Sequence, residues 1–363
     1  MSQTIFWIDL AGLLAGVLLG LLAVVFIWTI KFRQAVKGWL TQPAALEIMT
    51  LLKKVGWRDY FETNLRAAKG KAIERPFGTS LHFFGLDRFQ FNPVYYSQNP
   101  VADGVPIQTE VVLGPLARKP LTLKTPIMLG GMSYGGSLSF NARAALDRGA
   151  TLAGTATNTG SGPLIEELRH ATSKYILQLS RGYWSRSAEI LSNVDMIEIG
   201  LGHGAWGPSP VRIKGQQVTD GFARRIGAIP GLDVLMESRL PEVESLADWK
   251  SLIARLKEVS GGAPIAVKIG GTHHLERELE LMIEGGVDVV VIDGAEGGTH
   301  ACPVILLDDV GLPTLPSLCR AARFFEENKL KGQVSLVIGG GLVTPGDFLK
   351  VMSLGADAVI IGT

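Results

Sequence analysis

From Pro126 to Thr363 the chain repeats one pattern eight times: a short β-branched, apolar run stops at Gly or a polar residue, and a loop or helix-length stretch follows. The runs are Pro126–Met132, Thr151–Ala156, Tyr175–Leu179, Val194–Ile199, Pro264–Ile269, Val287–Ile292, Ser335–Ile338 and Ala356–Ile361. Runs without alternation suit strands covered on both faces, as in a parallel sheet. Eight of them in residues 126–363 predict a (β/α)8 TIM barrel, with the last helix lacking because the eighth run ends at the C-terminus. Barrel chemistry sits at the C-terminal ends of the strands.

The pattern upstream is different. Leu10 to Ile30 carries no charge and is rich in Leu, Val and Ala. At ~1.5 Å per residue such a helix spans the ~30 Å hydrocarbon core of a bilayer. Trp7 and Trp28 stand near its ends, and Lys31, Arg33 and Lys37 follow it. The reading is one transmembrane helix over residues 8–30, single-pass, with the barrel on the cytoplasmic side. A cleaved signal peptide fits less well, since no Lys or Arg precedes the run. Residues 31–125 read as a juxtamembrane segment. Helical periodicity runs from Pro43 to Leu65, and the Pro- and aromatic-rich stretch 72–125 is expected to wrap the barrel's N-terminal side.

Composition narrows the chemistry. A net charge of +1 without a basic stripe implies no nucleic-acid partner. Two cysteines, Cys302 and Cys319, exclude a disulfide framework or a four-Cys cluster within the chain. His273 and His274 are adjacent, so on a helix they diverge by about 100° and form no metal pair.

The strand ends carry the candidate chemistry: Ser133, Asn158, Gln178, Glu198, Lys268, Asp293, Gly339-Gly340-Gly341 and Gly362-Thr363. Gly turns after strands seven and eight suit phosphate, which backbone N–H groups bind closely where no Cβ intervenes. Lys268 would point into the mouth, where a buried ammonium needs an anionic or polarised partner, or else snorkels at the strand end. Asn158 and Gln178 either bind a polar ring edge or cap loops. Glu198 can be a base, a substrate ligand, a partner for Lys268 or a structural ion-pair member. Asp293 opens the Gly-rich loop Asp293-Gly-Ala-Glu-Gly-Gly298-Thr299.

Read together, Gly131-Met132-Ser133-Tyr134-Gly135, Ala153-Gly-Thr-Ala-Thr-Asn158-Thr-Gly160, Tyr175-Ile-Leu-Gln178, Val194–Ile199, Val267-Lys268, Asp293–Thr299 and Gly339-Gly340-Gly341 resemble, in order, the FMN-binding synthase domain of glutamate synthase. The type resembled is the membrane-anchored, stand-alone one. The resemblance implies FMN at the barrel mouth. Met132 and Ser133 would face the flavin, Asn158 and Gln178 its ring edge, and Lys268 its pyrimidine side. Asp293 and Gly298 would belong to the loop over the ring, and Gly340, Gly341, Gly362 and Thr363 would hold the phosphate. Lys268 and Glu198 are the implied catalytic residues. The implied reaction is reductive amination of 2-oxoglutarate to glutamate through 2-iminoglutarate, with ammonia from solution or a partner and electrons from a donor protein.

Departures from the family pattern keep alternatives open. A hydrophobic segment stands where the family carries an amidotransferase domain. The iron–sulfur cysteines of the family follow the eighth strand, so no such cluster is expected here. In Gly200-Leu-Gly-His203-Gly-Ala-Trp206, the family usually has Gln at 203 and Lys at 206. The alternatives are an FMN enzyme for a different 2-hydroxy or 2-amino acid, and a truncated, non-catalytic membrane-associated barrel.

Overall fold

The structure is a computed structural model that describes residues 20–22, 24–38, 43–70, 85–204, 206–297 and 310–362. The chain divides into two compact units, Met1–Thr79 and Ser80–Thr363. In the first, residues 24–38 are helical (α1), and the periodic stretch expected from Pro43 to Leu65 is two helices, α2 (Pro43–Val55) and α3 (Trp57–Lys69). Gly56, at φ 78°, breaks them apart, and Gly70, at φ 62°, closes α3 by donating its N–H to Arg66 O. Leu46, Met49, Trp57 and Phe61 are exposed on this pair. Among the described residues no helix is long and apolar enough to cross a membrane. Most of the expected 8–30 anchor, residues 8–19 and 23, lies outside them.

In the second unit, β1 (Val111–Leu113) and β2 (Leu121–Leu123) form an antiparallel hairpin. Seven of the eight expected runs then appear as strands, and a short strand just after the other one completes the set: β3 (Ile127–Leu129), β4 (Thr157–Asn158, the one after its run), β5 (Tyr175–Leu179), β6 (Met196–Gly200), β9 (Ile265–Gly270), β10 (Val289–Asp293), β11 (Ser335–Gly339) and β12 (Ala358–Ile361). They pair in parallel in the order β3-β12-β11-β10-β9-β6-β5-β4. Leu129 N–H donates to Ala156 O at 3.0 Å and Thr155 Oγ1 to Ile127 O at 2.6 Å, which brings the two edge strands together. This is the parallel eight-stranded barrel that the periodicity predicts.

The helices are α4 (Phe140–Ala153), α5 (Glu166–Arg169), α6 (Ala188–Ser192), α7 (Asp220–Ile226), α8 (Leu246–Val259), α9 (Leu275–Glu284), α10 (Thr314–Glu327) and α11 (Pro345–Ser353). Between β6 and β9 the chain makes an excursion containing a second antiparallel hairpin, β7 (Val211–Ile213) with β8 (Val234–Met236).

One expected strand is displaced. Thr151–Ala153 end α4, which Ser139 caps at its start by accepting from Ala142 N–H. Gly154, at φ 67°, stops the helix. The β-strand begins only at Thr157. The apolar run was therefore the end of a helix and its exit turn.

The barrel interior follows the two-residue period of its strands. Met128, Ala156, Ile176, Met196, Ala266, Val289, Val291, Val337, Ala358 and Ile360 form one buried cluster with Leu113, Leu121 and Leu123. The β1–β2 hairpin thus packs its Leu side chains into the barrel core, within the 72–125 segment expected to cover it. Each such side chain contributes roughly 1.5–3 kcal/mol when fully buried.

Candidate functional site

Two residues along a strand from an interior position, the next side chain faces the same interior. Applied to Ala156, Ile176, Met196, Ala266 and Val291, that step gives Asn158, Gln178, Glu198, Lys268 and Asp293. Five consecutive strands of the barrel therefore end their interior row in a polar group, in one layer at the C-terminal mouth. The same step from Met128 and Val337 reaches Gly130 and Gly339, which add no side chain to that layer.

The polar layer is internally connected. Oε1 of Glu198 accepts from Asn158 Nδ2 at 2.9 Å and from Gln178 Nε2 at 2.7 Å. Asn158 Oδ1 accepts from Gly160 N–H at 2.8 Å. Lys268 Nζ lies 3.2 Å from Asp293 Oδ2. Glu198, Lys268 and Asp293 are all buried. Burial works against the Lys268 charge, but Asp293 and Glu198 more than offset it, so its pKa is raised. Lys268 is thus a fixed cation on the floor of the mouth, and Glu198 serves both the amides and the field of Lys268. Of the alternatives for these residues, snorkelling is set aside for Lys268, which is buried and paired.

The wall beside this layer is backbone. A Cβ on Gly131 would stand 3.0 Å from Gly160 Cα and 3.2 Å from both Asn158 Oδ1 and Gln178 Nε2. A Cβ on Gly160 would stand 2.8 Å from the nitrogens of Met132 and Ser133. The Met132–Ser133 backbone is thereby laid against the Asn158 loop. Ser133 Oγ and Ser137 Oγ share a hydrogen bond of 3.2 Å.

Past β11, Gly340 and Gly341 take φ of 105° and 66°, a turn open only to glycine at low cost. Beside it, Glu296 Oε2 accepts from Thr314 N–H and Thr314 Oγ1, both at 2.7 Å. Gly362 has open space where a Cβ would be. Gly298 and Thr363 lie outside the described residues, as do Thr299, His300 and Cys302.

With this geometry in view, the chain matches the family model for the conserved region in glutamate synthase over residues 98–363. The chain belongs to the glutamate synthase family. The glutamate synthase large subunit-like protein of Rhizobium meliloti (strain 1021) is 36% identical over 257 residues, which is 70% of this chain and 58% of that protein. The archaeal-type glutamate synthase (NADPH) of Thermotoga neapolitana is 35% identical over 244 residues, 67% of this chain and 48% of that protein. The chain spans about half the length of the curated relatives it matches. A mandelate oxidase carrying a monooxide FMN adduct superposes with a TM-score of 0.48 at 16% identity, covering 73% of this chain and 71% of that one.

Three features of this glutamate synthase-family barrel are not visible as strand ends. Arg143 on α4 is fully buried and pairs with Asp147 at 2.9 Å. It also donates to Met132 O at 3.2 Å, Thr157 Oγ1 at 3.0 Å and Asn158 O. One guanidinium therefore fixes both walls of the mouth. The available signal was an Arg and an Asp four residues apart on a helix, but nothing in the sequence said that they face inward. Glu296 is the second feature, acting as the partner of the first residue of α10.

His203 is the third. Its backbone exchanges hydrogen bonds with Trp206, at 2.9 Å and 2.8 Å, and the two rings meet edge-on at 5.9 Å. Burial and then the Lys268 charge lower its pKa to about 4; Asp293 opposes this and Arg181 adds to it. The imidazole is therefore neutral at neutral pH, within the field of the Lys268–Asp293 pair. Trp206 is buried, with its indole N–H on Ser209 O at 3.2 Å.

Proposed function

We propose that this chain is the FMN-binding synthase unit of a glutamate-synthase-type oxidoreductase. In this reading it reduces 2-iminoglutarate, formed from 2-oxoglutarate and ammonia, to glutamate. The observation that carries the reading is the polar layer Asn158, Gln178, Glu198, Lys268 and Asp293 on five successive strand ends.

The residues present fit FMN. Gly131 and Gly160 let the Met132–Ser133 and Asn158–Gly160 backbones pack directly against each other as one wall, the amides and Lys268 offer donors to a ring edge, and the Gly340–Gly341 turn offers backbone to a phosphate. Met132 and Ser133 would line the ring, Asn158 and Gln178 its edge, and Lys268 its pyrimidine side. Gly340, Gly341, Gly362 and Thr363 would hold the phosphate, with Asp293 and Gly298 in the covering loop. When bound, FMN supplies hydride transfer. Lys268 holds positive charge where negative charge develops. Glu198 orients the two amides, and Asp293 first and Glu198 second keep the Lys268 ammonium protonated. Electrons come from a separate donor protein, ammonia from solution or a partner, and residues 8–30 anchor the chain with the barrel in the cytoplasm.

The decisive experiment is spectroscopic. Purified protein is expected to be yellow, or to turn so on titration with FMN, and to form glutamate from 2-oxoglutarate and ammonium after chemical reduction. A colourless protein without affinity for FMN defeats the reading. Alkaline carbonate extraction tests the anchor, which predicts that the chain stays with the membrane pellet.

Trp206 favours a second reading. An indole fills the loop position after β6, and no charge stands there to meet a substrate. The same FMN barrel would then act on a different 2-hydroxy or 2-amino acid. Flavin binding without glutamate formation separates this reading from the first.

A further inference from the structure

Arg181 is a buried cation that the arrangement above leaves unused. It lies in the loop after β5, with a relative exposure of 7%. Its Nη1 donates to Ser238 O at 2.8 Å, on the segment that follows β8. Its neighbours in kind have acids: Arg143 pairs with Asp147, and Arg186, farther along the same loop, with Glu242. Among the described residues Arg181 forms no ion pair, and burial alone is what lowers its pKa.

The two carboxylates of the mouth are already engaged. Asp293 is on Lys268, and Glu198 takes both amides as well as the Lys268 field. Arg181 stands two residues past the end of β5 at Leu179, on the C-terminal side of the barrel as the Lys268 layer is, and its charge acts on His203 together with those of Lys268 and Asp293. Arg181 and His203 thus follow the ends of β5 and β6, and Lys268 stands near the end of the adjacent β9. A buried cation without an acid is costly, and an incoming anion removes the cost. The guanidinium fork matches a carboxylate bidentately.

We infer that Arg181 is the substrate-carboxylate residue of this site, pairing with a carboxylate of an organic acid whose other end reaches the Lys268 layer, while His203 supplies a neutral hydrogen-bonding wall. The inference rests on the proposed FMN site and names the class of molecule admitted to it. An uncharged analogue lacks the group that Arg181 holds.

The test uses the full chain with Arg181→Gln and Arg181→Lys. FMN affinity is read by visible titration, binding of 2-oxoglutarate and of its neutral dimethyl ester by calorimetry, and fold by thermal melting. Wild type is expected to bind the acid and not the ester. Arg181→Gln should weaken the acid roughly 10- to 100-fold, the loss of a charged hydrogen-bonded pair. Arg181→Lys should retain part of the affinity, and FMN binding should change less than about threefold. Wild-type-like binding of 2-oxoglutarate by Arg181→Gln overturns the inference, as does a wild type that takes FMN but no carboxylate. If no variant and no wild type takes FMN, the proposed function fails, while calorimetry still decides Arg181. Should Arg181→Gln not fold, Arg181→Lys decides: weakened acid binding with an unchanged melt supports the role, and unweakened binding overturns it.

Discussion

The ammonium of Lys268 stands 3.2 Å from Oδ2 of Asp293, with both side chains buried at the mouth of the barrel. Replacing Lys268 with Met leaves Asp293 without its cation. Breaking a buried pair from one side costs about 3–5 kcal/mol, which urea unfolding would show as a lower midpoint. If Lys268 lies beside the ring as proposed, bound FMN should also have a lower reduction potential. Because the Lys268 pKa is raised, the contribution of the pair is complete below the ordinary lysine value of about 10.4 and is lost only as pH rises through the folded value above it. The difference between variant and wild type should therefore be flat from pH 7 to 9. An unchanged potential would mean that Lys268 does not face the flavin.

His203 makes the opposite prediction at the acid end. Its pKa falls from 6.5 to about 4, so below 6.5 the unfolded chain binds a proton that the folded chain refuses. Stability is complete above pH 6.5 and is lost as pH falls toward 4, by roughly 3 kcal/mol in total. His203→Gln should remove that part of the acid loss. Unfolding curves at pH 7.5 and 4.5 for both proteins measure it, and identical acid losses would refute the shift.

Gly160 tests the backbone wall. Alanine there carries φ of 61° and a Cβ 2.8 Å from two backbone nitrogens, which cannot yield as a side-chain tip can. The expected cost is about 1–3 kcal/mol, with FMN affinity falling at least tenfold by titration. Gly149 is the control: it lies within α4 with nothing within 4 Å of its Cβ, and Gly149→Ala should stabilise by up to about 1 kcal/mol.

Arg143→Met should cost about 3–5 kcal/mol, because Asp147 loses its partner and the carbonyls of Met132 and Asn158 lose a donor. Arg143→Lys should recover little, since one ammonium cannot reproduce the guanidinium fork across Asp147, Thr157 and two carbonyls. Chemical denaturation of the three proteins checks the order.

The barrel was legible because its strands are buried on both faces, so each left an unbroken apolar run. The mouth was legible because the two-residue period carries interior Ala266 to Lys268 and interior Met196 to Glu198 without knowledge of the partners. Position two failed for a local reason: Thr151-Leu152-Ala153 continues into an apolar run like the others, yet it is the last turn of the helix that Ser139 caps and Gly154 stops. The β7–β8 hairpin escaped because each strand is three residues long. Arg143, Glu296 and Arg181 escaped because their roles depend on which loops meet across the mouth. Local sequence does not encode that.

The seven parallel ladders make a belt rather than a closed ring. Its two ends, β3 and β4, meet through the Leu129–Ala156 backbone bond and the Thr155 hydroxyl, and Arg143 is the buckle that reaches the Met132 carbonyl past β3 and the Asn158 carbonyl at the end of β4. Met132 and Ser133 ride on one end of the belt and Asn158 on the other. Arg143 therefore holds the two sides of the mouth together, and a loosened Arg143 would part them while β9, β10 and β11 stay laced.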